Sequence, residues 1–282
     1  MKNTNLFKIV TLICLLIAFS FCKNKTTNPI QTDKNSCDCP PSKYEGGQYY
    51  SQYYEDYVLA YVFDTIKSGK YVDVGANDPK ENNMTLYFYQ KGWNGINVEP
   101  NKVLFEKITA ARTKDINLNI GISDSSGGMP FYYIEEYGTS TFDINQKLEL
   151  EKSHGFKFNS INIPLKRLSE VFIKNPMNII HFMNVDVEGF ERKVLLSIDF
   201  EKTRPMVFCI EATYPMSEEP SDKLWKDVFQ KNGYLFAMSD GLNHYYVDKN
   251  KPEFMERFAF INMCVSKSKI QRKVKINGFN NW

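Results

Sequence analysis

Two short apolar runs limit what this chain can fold into. Tyr71-Val72-Asp73-Val74 leads into the turn Gly75-Ala76-Asn77-Asp78-Pro79, and Gly95-Ile96-Asn97-Val98 ends in Glu99-Pro100. Between them, Thr85 to Lys91 has the length and composition of a helix. Strand, glycine turn, helix and a second strand ending in an acid is the opening of a nucleotide-binding α/β fold. Gly75 lets the backbone come close to a ligand at the carboxyl end of the first strand. Glu99, at the tip of the second, is placed to take the two hydroxyls of a ribose.

The turn also narrows the choice of nucleotide. A dinucleotide fingerprint needs three spaced glycines, because a pyrophosphate rests on bare backbone at a helix N-terminus. Here the second and third glycines are missing, and Asp73 and Asp78 put negative charge where a phosphate would sit. A cofactor with ribose and adenine but no phosphate fits better. S-adenosylmethionine is such a molecule, and its cationic sulfonium is favoured near carboxylates. Asp73, Gly75, Asn77 and Glu99 are the expected cofactor shell. The plain alternative is that Asp73 caps a strand and Gly75 only turns the chain.

The rest of the chain continues the alternation. Tyr49 to Ile66 reads as a helix, Lys102–Arg112 as a helix with Val103, Leu104, Ile108 and Ala111 inward, and Ile116–Ile122 as a third strand. That strand ends at Ser123-Asp124, where an adenine would lie in this topology, although the turn chemistry of Ser-Asp-Ser-Ser-Gly-Gly accounts for these residues almost as well. Met129–Ile134 and Ile161–Pro164 read as short strands around a polar stretch, Glu135 to Thr141, and an insertion, Gln146 to Phe158. Ile179–Val185 and Met206–Glu211 read as strands, Glu191–Ser197 and Ser221–Asn232 as helices, and Tyr234–Met238 with Asn243–Val247 as a closing antiparallel hairpin. The order predicts one α/β domain, Rossmann-like, with a mostly parallel sheet.

Several of these motifs, in order from about Tyr50 to Val247, resemble the FkbM-type family of S-adenosylmethionine-dependent methyltransferases. They are Tyr71–Pro79, Gln90–Pro100, Asn184-Val185-Asp186-Val187-Glu188-Gly189-Phe190-Glu191, Ile210-Glu211-Ala212 and Ser239-Asp240-Gly241-Leu242-Asn243, with the lead-in Ser51-Gln52-Tyr53-Tyr54-Glu55-Asp56. That lead-in often carries glycine in the family where this chain has Tyr53-Tyr54. The resemblance implies a class I methyltransferase fold, S-adenosylmethionine as cofactor and a hydroxyl acceptor, with a sugar of a glycan or glycolipid as the natural guess. It also implies substrate contacts from Asp240 and Asn243, which a hairpin turn alone would otherwise explain.

Asp186, Glu188 and Glu191 stand at the carboxyl end of a central strand, where ligands of open α/β sheets bind. Strand alternation would put Asp186 and Glu188 on one face. Glu191 fits a helix N-terminus. Asp186 ends the apolar run Ile179-Ile180-His181-Phe182-Met183, so its carboxylate is a candidate general base for methyl transfer to a hydroxyl. Glu211, at the neighbouring tip, is expected to assist Asp186 or bind the acceptor, and Glu188 to bind the acceptor. His154, His181 and His244 lack metal-ligand spacing, and no metal site is expected.

A formal net charge of +2 on 282 residues and scattered lysines give no reason to expect nucleic-acid binding. Residues 1–22 read as a signal peptide or membrane anchor: Lys2 and Lys8 precede the apolar run Ile9 to Phe21, and Cys22 follows as a lipoprotein lipidation candidate. Bulky Phe21 leaves a loose lipobox and an uncleaved anchor both open. Residues 23–43 read as a flexible tether carrying Cys37-Asp38-Cys39, residues 44–250 as the methyltransferase domain, and residues 251–282 as an extension with the basic tail Lys267 to Lys275. Cys209 and Cys264 lie in apolar, strand-like runs and are expected in the core. The protein is expected at a membrane through its N-terminus, on a side left open. The leader points outward, whereas the cofactor is made in the cytoplasm. The competing expectation is therefore an exported lipoprotein that keeps the fold as a binding module without catalysis.

Overall fold

The structure is a computed structural model that describes residues 49–134 and 137–267. The signal segment with Cys22, the tether with Cys37 and Cys39, and the tail beyond residue 267 lie outside the described residues. The chain divides into two compact units, Gln48–Pro252 and a second made of Met1–Gly47 with Glu253–Trp282.

The larger unit is α/β. Its elements begin with α1 (Glu55–Val62), β1 (Lys70–Val74), α2 (Met84–Gln90), β2 (Asn94–Val98), α3 (Lys102–Ala111), β3 (Ile116–Leu118), β4 (Gly121–Ile122), β5 (Gly127–Ile134) and β6 (Tyr137–Thr141). They continue with α4 (Ile144–His154), β7 (Asn159–Lys166), α5 (Leu168–Lys174), β8 (Phe182–Val185), α6 (Glu191–Leu196), β9 (Val207–Glu211), α7 (Lys226–Lys231), β10 (Tyr234–Ser239) and β11 (Asn243–Asp248). A seven-stranded sheet has the order β10-β11-β9-β8-β1-β2-β3. The contacts from β9 through β3 are parallel, and β11 and β10 pair antiparallel.

The central strands read as near-continuous apolar runs because they are covered on both faces. Val72, Val74, Ile96, Val98, Met183, Val185, Phe208 and Ile210 form one core with Val194, Leu195, Trp225 and Phe229. Full burial of one such side chain stabilises by about 1.5–3 kcal/mol. Side chains set the helix starts. Asn83 accepts from Leu86 N at 2.9 Å, Asn101 from Val103 N at 3.0 Å and Asp143 from Asn145 N at 2.8 Å.

Several sequence expectations need correction, among them the inward face of α3, where Ile108 is buried but Val103 and Ala111 are exposed. The predicted strand Ile116–Ile122 is broken into β3 and β4, which belong to different sheets. Asn119 makes the break, its amide donating to the carbonyls of Glu99 and Pro100 at 2.9 Å each. Gly121 then passes so close to Phe142 and Leu165 that a Cβ would lie 2.4 Å and 2.6 Å from their side chains. The result is a second, four-stranded sheet of order β4-β7-β5-β6, with its own small core of Phe131, Phe142, Ile163, Leu165 and Phe190. The stretch read as an insertion, Gln146 to Phe158, is helical as far as His154, within α4.

The predicted helix Tyr49–Ile66 begins only at Glu55. Asp56 accepts from Tyr50 N at 2.6 Å, which holds the preceding segment in a turn, and Tyr54 has φ 64°. That left-handed backbone is one glycine adopts freely.

Cys209 is a buried free thiol on β9, as expected of a core cysteine. Cys264 instead lies on a helix, α8 (Pro252–Lys267), and is disulfide-bonded. Phe254, Phe258, Ile261 and Cys264 are its buried stripe. An apolar run this dense satisfies a period of 2 and of 3.6 equally well.

Candidate active site

β1, β2 and β3 step outward in one direction, and the chain then returns to lay β8 and β9 on the other side of β1. The carboxyl ends of β1 and β8 therefore flank the point where strand order reverses, the place where open α/β sheets bind ligands. Gly75 makes this edge possible. Its N–H and that of Ala76 donate to the Val98 carbonyl at 3.0 and 3.1 Å, and Asp186 N donates to the Val74 carbonyl at 3.0 Å. At Gly75, φ is 89° and a Cβ would lie 1.8 Å from the Asp186 carbonyl oxygen. The close approach that the glycine permits is thus to the facing loop.

On the β2 side, Glu99 is buried at the strand tip. Its Oε2 accepts from Asn77 N at 2.8 Å and its Oε1 from Asn101 N at 2.7 Å. Burial nevertheless raises its pKa to about 7. Asp73 is held by Thr85 Oγ1 at 2.9 Å and Asn184 Nδ2 at 3.0 Å. The loop between them is fixed from beneath by buried Arg112, which donates to the Pro79 carbonyl and Asn83 Oδ1, each at 2.8 Å. Asn77 has φ 51°. Arg112 thus directs one of its terminal nitrogens at the protein's own loop.

On the β8 side, four carboxyls gather: Asp186, Glu188, Glu191 and Glu211. Strand alternation does not bring Asp186 and Glu188 together, because β8 ends at Val185 and the chain turns left-handed at Glu188, φ 53°, and Gly189, φ 97°. Two contacts hold this turn. Thr141 Oγ1 donates to the Glu188 carbonyl at 2.8 Å, and Glu191 Oε1 accepts from Gly189 N at 3.0 Å. Burial raises the pKa of Asp186 to about 6, with the charge of Asp73 adding to it, and that of Glu191 to about 7. Burial and the neighbouring acids push Glu188 and Glu211 well above the carboxylate range. Glu211 and Asp186 form a carboxyl–carboxyl pair. A group poised near neutrality can accept a proton from a reacting hydroxyl.

The remaining sequence candidates have partners of their own. Ser123 is buried, its N–H on the Lys166 carbonyl at 3.0 Å, and Asp124 pairs with Lys193 at 2.9 Å. Asp240 accepts from Asn243 N at 2.7 Å and Tyr245 OH at 2.8 Å, and Asn243 Nδ2 donates to Glu55 Oε1 at 2.8 Å. His181 is a core residue that accepts from Lys70 N at 2.9 Å. Sequence reasoning did not single out Glu55, which is buried and raised to about 7, first by burial and then by Asp240. It also passed over Thr85, Asn184 and Thr141. Only the acidic pair Glu55-Asp56 in the lead-in hinted at any of these.

These buried acids fix a sign for pH dependence. Glu55, Glu99 and Glu191 hold their protons to about 7 in the fold, against an ordinary 4.5. Between those values the folded state binds more protons than the unfolded chain, so stability falls as pH rises and levels off above about 7. Each tenfold difference in proton affinity between folded and unfolded chain corresponds to about 1.4 kcal/mol. The thermal midpoint of the protein without added ligand is expected to be higher at pH 5 than at pH 8. A midpoint that rises over this interval would contradict the buried state of these carboxyls.

An acidic edge at the switch point of a mostly parallel sheet is consistent with a methyltransferase fold. The family model of the Methyltransferase FkbM domain matches residues 73–236, more than half of the chain, and the chain belongs to that family. No curated protein matches it.

Proposed function

We propose that the protein is an S-adenosylmethionine-dependent O-methyltransferase on a Rossmann-like class I methyltransferase fold, acting on a hydroxyl of a carbohydrate or glycolipid. The family membership supports methyl transfer. The strand order, with its antiparallel β10–β11 pair at one edge, supports the fold reading. The observation that carries the proposal is the placing of Glu99 and Asp186 on either side of β1 at the switch point.

The residues present fit the cofactor. Each Glu99 oxygen takes one backbone N–H and keeps a lone pair for a ribose hydroxyl. The surrounding acids favour a sulfonium over a phosphate. When bound, the cofactor supplies a methyl group activated by positive sulfur. Asp73, Gly75, Asn77 and Glu99 form the wall that binds it, with Ser123 and Asp124 beyond. Asp186 takes the proton from the acceptor hydroxyl as its oxygen attacks. Glu211 orients Asp186, while Glu188, Asp240 and Asn243 form the acceptor side. The N-terminal segment holds the protein at a membrane, through lipid on Cys22 or as an uncleaved anchor.

Calorimetric titration of the full-length protein tests this. S-adenosylmethionine is expected to bind and NAD is not. Charge-assisted bonds to two hydroxyls contribute about 1.5–3 kcal/mol each, so Glu99→Ala is expected to weaken binding at least about tenfold with little loss of folding. Equal affinity in the mutant would remove Glu99 from the cofactor site.

A second reading has one observation in its favour. The disulfide at Cys264 suits an oxidising compartment outside the cytoplasm. There the domain would serve as a tethered binding module without catalysis. Absence of any S-adenosylmethionine binding in the same titration would favour that reading.

A further inference from the structure

The acid group beyond β8 has more negative charge than a methyl donor can balance. Oε2 of Glu188 and Oε2 of Glu211 are both buried and receive no N–H or O–H from the described residues. Glu211 is only 7 % exposed. The charges that act most strongly on Asp186, Glu188, Glu191 and Glu211 are acidic, their own or that of Asp73, with no lysine or arginine of the described residues among them. A buried carboxylate without donor or counter-charge is costly, and in the free protein shared protons meet that cost. A ligand that fills the site must replace those protons with something equivalent.

A sulfonium brings positive charge but no hydrogen to donate. A neutral hydroxyl brings a hydrogen but no charge. A primary ammonium brings both, with three N–H donors for two orphaned oxygens. A divalent metal would be the other candidate, but among the described residues no group of three or more His, Cys, Asp and Glu side chains is arranged to hold one. The geometry points to Glu188 and Glu211 as a subsite for a primary ammonium on the acceptor, so that the substrate is an amino sugar or related amino polyol methylated on a hydroxyl near its amine. The assignment of that hydroxyl rests on the methyltransferase reading above; the ammonium subsite itself does not.

The backbone makes the subsite rigid. Glu188 sits in a left-handed turn held by Thr141 from the second sheet and by Glu191 from α6. The backbone that carries the Glu188 carboxyl is therefore held in place.

The test compares glucosamine with glucose, which differ by an ammonium in place of one hydroxyl, in titrations of the full-length protein at pH 7. Wild type is expected to bind glucosamine at least about tenfold more tightly, the scale of one charge-assisted contact. Glu211→Gln and Glu188→Gln, which keep side-chain shape, are each expected to reduce that preference to below about threefold. Equal affinity for the two sugars, binding of neither, or a preference that survives both substitutions would overturn the subsite. A parallel titration with S-adenosylmethionine reports separately on the methyltransferase reading. If the cofactor fails to bind while glucosamine preference persists, that reading falls and the subsite stands.

Discussion

Asp186→Asn is expected to leave S-adenosylmethionine affinity within a few fold and to lower methyl transfer by about 100- to 10,000-fold, the usual contribution of a general base. The asparagine keeps the shape and can still hydrogen-bond, but it cannot take a proton near neutrality. The fold places Asp186 one residue past β8, where loss of water and then the charge of Asp73 raise its pKa to about 6 against the lowering effect of its bond to Glu211. The prediction needs both readouts, titration for the cofactor and product formation for the rate. A mutant that lost cofactor affinity would move Asp186 into the binding wall. Unchanged turnover would pass the role of base to Glu188 or Glu211.

Gly75→Ala has the largest expected effect on stability. The added Cβ would sit 1.8 Å from the Asp186 carbonyl oxygen and 2.9 Å from its carbon, both backbone atoms that cannot rotate away. The position also has φ 89°, which an L side chain adopts only with strain. Relief requires the β1 and β8 loops to separate, with loss of the bond from Asp186 N to the Val74 carbonyl. A loss of about 3 kcal/mol or more in denaturant unfolding is expected, together with loss of S-adenosylmethionine binding. A change below about 1 kcal/mol would mean that the two loops are not in contact.

The parts of the fold that were legible in the sequence share a cause. β1, β2, β8 and β9 are buried, so each is written as a mostly apolar run, broken only by a polar residue such as Asp73, Asn97 or Asn184, that ends in a turn or an acid. Glu99, Asp186 and Glu211 stand at those ends, and end-of-run acids are conspicuous. What could not be read is what depends on partners far away in the chain. The break between β3 and β4 is made by Asn119 reaching the Glu99 and Pro100 carbonyls, and nothing in Ile116–Ile122 announces it. Met129–Ile134 and Ile161–Pro164 can be read as strands, but nothing in them tells that they pair into a sheet of their own. Glu188 was assigned to a strand face by alternation, which fails once Glu188 and Gly189 turn left-handed. Thr141 and Asn184 are ordinary residues in sequence, and only their hydrogen bonds give them a role.

The pairing at the centre of the large sheet has a consequence for how the protein is made. β1 lies against β8 in a register that puts Tyr71 opposite Phe182 and Asp73 opposite Asn184, so the sheet's middle is joined by residues distant in the chain. Contacts of such long range form late and slow the search for the native topology. A nascent chain that has emerged only through β7 has β1, β2 and both sides of the Gly75 turn, yet Asp73 still lacks its Asn184 amide and the Asp186 carbonyl has not arrived to face Gly75. The wall beyond β8 thus comes into being last, and a half-made chain has only one side of the edge.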